Sequence, residues 1–143
     1  MILATVLVFA SCLKEAAKRP PKQWNTTYDT PTYIYEHLNT LREGDTVMMW
    51  GWLWKVEYED HRIHIATDST DAMNYCVVSP EDMYMWLDCR GWLDTVTVCE
   101  KPCKVYATGI FRADDVGCKV FYYLEVPHRE DVVFMPAAKG GAR

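Results

Sequence analysis

The sequence predicts a mainly β domain with a short N-terminal helix and one further helix midway along the chain. Three observations carry this. β-Branched and aromatic residues gather in short runs, Gly, Pro and Asp punctuate the chain between them, and helix starts are legible at two places only. At 143 residues, 50% of them hydrophobic, the chain suffices for one core and one ordinary domain.

Residues Ile2 to Ala10 form an unbroken apolar run, too short to span a bilayer but suited to the hydrophobic region of a secretory signal. The polar stretch that follows carries Pro20-Pro21, as a tether would. Residues 1–23 therefore read as a signal-like segment with its tether, and residues 24–143 as one domain with a C-terminal tail from 127.

Thr30-Pro31 pairs an N-cap with proline at the first helical position, and Ile34, Leu38 and Leu41 recur at helical spacing up to Gly44. Thr46 to Val56 reads as the first strand, with Gly51 marking a possible bulge or bend. Arg62 to Thr67 and Tyr75 to Val78 read as the second and third. Ser79-Pro80-Glu81-Asp82 combines a cap, a preset proline and two acids at the positive end of a helix dipole. It predicts a helix that buries Met83, Trp86 and Leu87 and stops at Arg90-Gly91. Lys104 to Arg112 and Lys119 to Val126 complete the strands, with Thr95 to Cys99 an extra strand-like segment. Val47, Leu53, Ile63, Ile65, Val77, Leu87, Val105, Ile110 and Leu124 are expected in one core.

The order strand, strand, strand, helix, strand, strand resembles the five-stranded Greek-key barrel of the oligonucleotide/oligosaccharide-binding (OB) fold, with its helix between strands three and four. Val47-Met-Met-Trp-Gly51 and Val105-Tyr-Ala-Thr-Gly109 resemble strands of the small tRNA-anticodon-like OB proteins among bacterial lipoproteins. Phe9-Ala10-Ser11-Cys12 likewise resembles a lipobox, which implies lipidation at Cys12 and an exported, membrane-anchored protein.

Trp50, Trp52 and Trp54 alternate along the first strand and so share one face unless a bulge intervenes. With Tyr106, Tyr122 and Tyr123 on the last two strands they are the candidate ligand-binding residues, since indole and phenol rings make stacking surfaces. The alternative is that they fill the core. Cys76, Cys89, Cys99, Cys103 and Cys118 lack the tight pairs of a zinc knuckle, so disulfides are expected in an exported chain and buried thiols otherwise. His61 and His64 fall on opposite strand faces and are expected at the surface.

No phosphate loop, nucleophile elbow or zinc-protease motif is present in the sequence, and no catalytic set, metal site or cofactor is expected. A net charge of -5, and acidic loops at Glu57 to His61 and Ala113 to Gly117, disfavour nucleic acid unless basic residues gather on one face. The expectation is a non-catalytic binding domain for a protein partner or an uncharged ligand. A second reading is a structural subunit of a larger, membrane-associated complex that keeps its apolar N-terminus.

Overall fold

The computed structural model describes residues 23–73 and 84–137. The chain is β-rich. Its strands are β1 (Thr46–Glu57), β2 (Arg62–Ala66), β3 (Tyr84–Asp88), β4 (Cys103–Asp115), β5 (Val120–Glu125) and β6 (Val132–Pro136). Two short helices accompany them, α1 (Pro31–Glu36) and α2 (Ser69–Met73).

β1 pairs with β2, β2 with β3, β4 with β5 and β1 with β4, all antiparallel, while β3 and β5 run parallel. The circuit of pairings through these five strands thus returns to β1. β4 is long enough to carry two neighbours on one edge: Ile110 to Asp115 face β5, and Cys103 to Ala107 face β6.

Alternation sorts the side chains. Val47, Met49 and Leu53 on β1, Ile63 and Ile65 on β2, Met85 and Leu87 on β3, Val105, Ala107 and Phe111 on β4 and Leu124 on β5 form one core. Burying each large aliphatic side chain contributes about 1.5 to 3 kcal/mol. Gly51 belongs to this inward set. A Cβ there would meet Ala66 O at 2.6 Å, so glycine marks a close approach of β1 to β2 and not a bulge. The bulge lies three residues on, where the register slips between Leu53 and Lys55.

α1 starts as the sequence predicts: Thr30 Oγ1 accepts the Tyr33 N–H at 3.3 Å, and Pro31 occupies the first turn. It buries Ile34 and is followed by a 3-10 turn over Leu38–Thr40. The preceding segment is laid along β1, with Met48 N donating to Trp24 O and Trp50 N to Asp29 O.

Four expectations are corrected. The helix expected from Ser79 to Arg90 does not extend through its second half, because Tyr84–Asp88 is strand; Met85 and Leu87 point inward and Trp86 outward, at a period of two. Between β3 and β4 there is only a 3-10 turn at Leu93–Thr95, and Thr95 to Cys99 forms no strand. The tail from 127 contains β6, so the sheet has six strands rather than five. Ile110 is the outward neighbour of buried Phe111 and stands outside the core. The apolar run at 2–10, Cys12, the strand expected at Tyr75 to Val78 with Cys76 and Val77, and residues 79–83 lie outside the described residues.

Candidate functional site

Outward residues fall into rows that cross the strands, because directly paired residues share a face. One row runs Trp50, Tyr106, Val133 and a second Trp52, Lys104, Met135, both across β1, β4 and β6. A third runs Lys55, His64, Trp86, Tyr123, Arg112 across β1, β2, β3, β5 and β4.

All three β1 tryptophans are half-buried on the outer side. Trp50 stacks on Tyr106 with ring centroids 6.2 Å apart, Tyr28 meets Tyr106 edge-on at 5.2 Å, and Lys104 Nζ lies 5.5 and 5.3 Å from the rings of Trp50 and Trp52. Trp54, outward by alternation with Trp50 and Trp52, occupies the bulge, which brings Lys55 out on the same side, and the indole ring is aimed at β2 and β3. Its ring is 5.6 Å from His64 and 5.0 Å from Tyr84.

The β3–β5 ladder begins only at Trp86 and Tyr123. Before it the two strands part, and the gap is a cleft of about 290 Å³ walled by Trp54, Tyr84, Trp86 and Phe121. Met85, Tyr122 and Tyr35 of α1 reach it from the inner side, and His64 and Lys119 also line it. Tyr123 stacks on Trp86 outside. Tyr122, expected beside Tyr123 on one platform, points the other way and stacks on Phe111 at 5.6 Å, because neighbouring residues of a strand face opposite sides.

His64 is not the surface residue its sequence position suggests, for its side chain is only 13% exposed. Its Nε2 faces the Glu57 carboxylate, and Lys55 Nζ stands 3.5 Å from the same carboxylate. Burial pushes the imidazole below its ordinary range, only partly offset by Glu57. Partial burial alone would raise Glu57, but the charges of His64 and Lys55 outweigh it and hold the carboxyl low.

Cations lie over the rings: Lys55 4.7 Å from Trp54, Arg62 4.6 Å from Trp86 and Lys119 5.2 Å from Phe121. Carboxylates stand near some of the cations on this face, with Lys55 against Glu57, Arg112 3.5 Å from Glu125, and Arg62 opposite Asp88 in the ladder. The outer face is therefore aromatic and mixed in charge.

Cys99 and Cys103 form a disulfide, Cys89 is a buried free thiol and Cys118 an exposed one. Among the described residues no three of His, Cys, Asp and Glu are grouped to hold a metal ion. No helix among them is long and apolar enough to cross a membrane.

Sequence reasoning missed Tyr84, Trp86, Phe121 and His64 as cleft residues. The signal was present in Tyr84-Met-Trp-Leu-Asp88, which alternates, but the strong helix start just before it drew these residues into a 3.6-residue pattern. Compared with known proteins, the chain matches no family model, and no curated protein shows significant sequence similarity to it.

Proposed function

We propose that the chain is a non-catalytic binding domain of the OB type, and that the aromatic cleft between β3 and β5 takes an uncharged ligand with flat ring faces, such as a sugar chain. The cleft carries this reading. Six aromatic side chains, Tyr35, Trp54, Tyr84, Trp86, Phe121 and Tyr122, line about 290 Å³ of space, beside the Tyr123 ring stacked on Trp86. Ring faces bind flat apolar surfaces, and the carboxylates beside Lys55 and Arg112 reduce the net charge that would attract a polyanion. The circuit β1–β2–β3–β5–β4–β1, with β3 and β5 parallel, supports the Greek-key barrel of the OB fold, with β6 as an addition to β4. The Cys99–Cys103 disulfide supports an exported protein, which we take to be anchored through a lipidated Cys12.

The test is titration of tryptophan fluorescence with neutral oligosaccharides and, separately, with single-stranded oligonucleotides. Saturable quenching by a neutral glycan, insensitive to salt and lost in Trp86→Ala, supports the reading. Tight, salt-sensitive quenching by the oligonucleotide overturns it in favour of a nucleic-acid binder.

A second reading has its own observation. Tyr28, Val133 and Met135 are 40%, 50% and 51% exposed around Tyr106, which suits a protein interface in a larger assembly. Recovery of the native protein as a stable complex that Met135→Glu dissociates would favour it.

A further inference from the structure

The bulge that aims Trp54 at the cleft is held from outside the β1–β2 hairpin. Lys101 Nζ donates to Trp54 O at 2.6 Å, across 47 residues of sequence. A charged donor on a backbone carbonyl is among the stronger hydrogen bonds, and here it falls on the residue that the register slip sets apart.

Lys101 sits inside the loop Cys99-Glu100-Lys101-Pro102-Cys103, which the disulfide closes. One side of the loop is fixed to the sheet: Cys103 is the first residue of β4, and the Pro102 carbonyl accepts the Ala137 N–H at 3.1 Å. The other side is fixed through Cys99, whose Sγ is bonded to buried Cys103. The bridge therefore restricts the backbone on which a long, flexible lysine must find one carbonyl.

We infer that the Cys99–Cys103 disulfide is a redox control on the aromatic cleft, acting through Lys101 as the positioning residue for Trp54. A dithiol reductant opens it in two exchanges. The first thiolate attacks Cys99 Sγ, the more accessible sulfur, and the S–S bond breaks with its electron pair going to Cys103, which takes up a proton. The second thiolate of the reductant then displaces Cys99, leaving two cysteine thiols and an oxidised reductant. With the loop open, Lys101 leaves the bulge and Trp54 loses its fixed position beside Tyr84 and His64. The consequence for ligand affinity rests on the cleft being the binding site, whereas the coupling from disulfide to Trp54 does not.

The test needs no ligand. In the full chain labelled with 15N-tryptophan, the indole N–H signals are recorded before and after reduction with dithiothreitol, with Trp54 assigned from Trp54→Phe. Reduction is expected to shift the Trp54 signal and leave those of Trp24 and Trp92, whose indole N–H groups donate to Thr40 Oγ1 and Val126 O. Lys101→Met in the oxidised protein is expected to move Trp54 to its reduced position, and Lys101→Arg to keep it near the original one. A Trp54 signal unmoved after complete reduction, or unmoved in Lys101→Met, overturns the inference. A collective shift of all the indoles on reduction also overturns it, since the bridge would then be holding the whole fold.

Discussion

Trp86 and Tyr123 stack face to face across the parallel β3–β5 ladder, with ring centroids 5.2 Å apart and planes within 9° of parallel. They form the first pair of that ladder, so the stack stands where the strands begin to separate into the cleft. One side chain thereby joins β3 to β5 and walls the cleft. Burial, followed by the negative charges of Asp88, Asp114 and Glu125, raises the Tyr123 phenol above its ordinary value, which keeps it neutral beside the indole.

Trp86→Ala is expected to lower affinity for a neutral glycan by about 1 to 3 kcal/mol, the scale measured for a base stacked on an aromatic side chain. Trp50→Ala, on the far side of β1, is expected to change it less. Titration of both variants by calorimetry, which does not depend on the mutated fluorophores, checks this. Equal losses would place the ligand along the β1–β4 face and not in the cleft.

Gly51→Ala is expected to destabilise the fold by about 1 to 3 kcal/mol, the usual cost of overpacking. The added methyl would fall on Ile65 Cγ2 and the Ala66 carbonyl, and a backbone carbonyl in a ladder cannot step aside. Gly44→Ala, at a positive-φ turn with open space around its Cβ, is the comparison: its cost comes from backbone strain alone. Urea unfolding of both variants separates contact from strain, and a Gly51→Ala protein as stable as the parent would contradict the close approach.

The strands with clear alternation were legible, and so was the start of α1, although the helix ends at Glu36 and the spacing of Leu38 and Leu41 up to Gly44 does not continue it. Leu53 lies between Trp52 and Trp54 and Ile63 between Arg62 and His64, while Thr30-Pro31 is a local signal that depends on nothing distant. That the three β1 tryptophans share a face was legible too, but neither the side it takes nor the aim of Trp54 was. It follows from a bulge whose carbonyl is held by Lys101, a contact that periodicity cannot encode. β6 escaped notice because Val132-Val-Phe-Met-Pro136 follows a 3-10 turn and ends in proline, so it reads as a tail until β4 supplies a free edge. The cleft needed the parallel pairing of β3 and β5, which join residues far apart in the chain.

Cys118 is expected to react with iodoacetamide in the native protein, and Cys89 only on unfolding. Burial, reinforced by the charge of Asp88, drives the Cys89 thiol far above its ordinary range, so almost no thiolate forms at neutral pH. Cys118 lies exposed in the turn between β4 and β5. Peptide mapping after brief alkylation checks the order. Rapid native labelling of Cys89 would mean that the segment following β3 opens readily.

Acidification is expected to destabilise the fold in two stages, beginning at His64. Its imidazole titrates lower in the folded protein than the ordinary value of 6.5, mainly through burial, so the unfolded chain binds the proton more readily. The stabilisation is complete above about 6.5 and declines as pH falls through the lower, folded value. Glu57 adds a second stage of the same sign. Its carboxyl is held below the ordinary 4.5, where the charges of His64 and Lys55 outweigh the opposing effect of burial, and its contribution is lost as pH falls through the folded value. The charged groups near this pair include Lys55 on β1 and Arg62 on β2, both cationic, and they oppose protonation of His64 further. His64→Gln removes the upper stage and leaves the contribution of Lys55 to Glu57 in place, so its stability curve should be flatter between about pH 5 and 7 and still fall below that. Urea midpoints measured across this range for the parent and the variant decide the matter. Parallel curves would show that His64 does not titrate differently on folding.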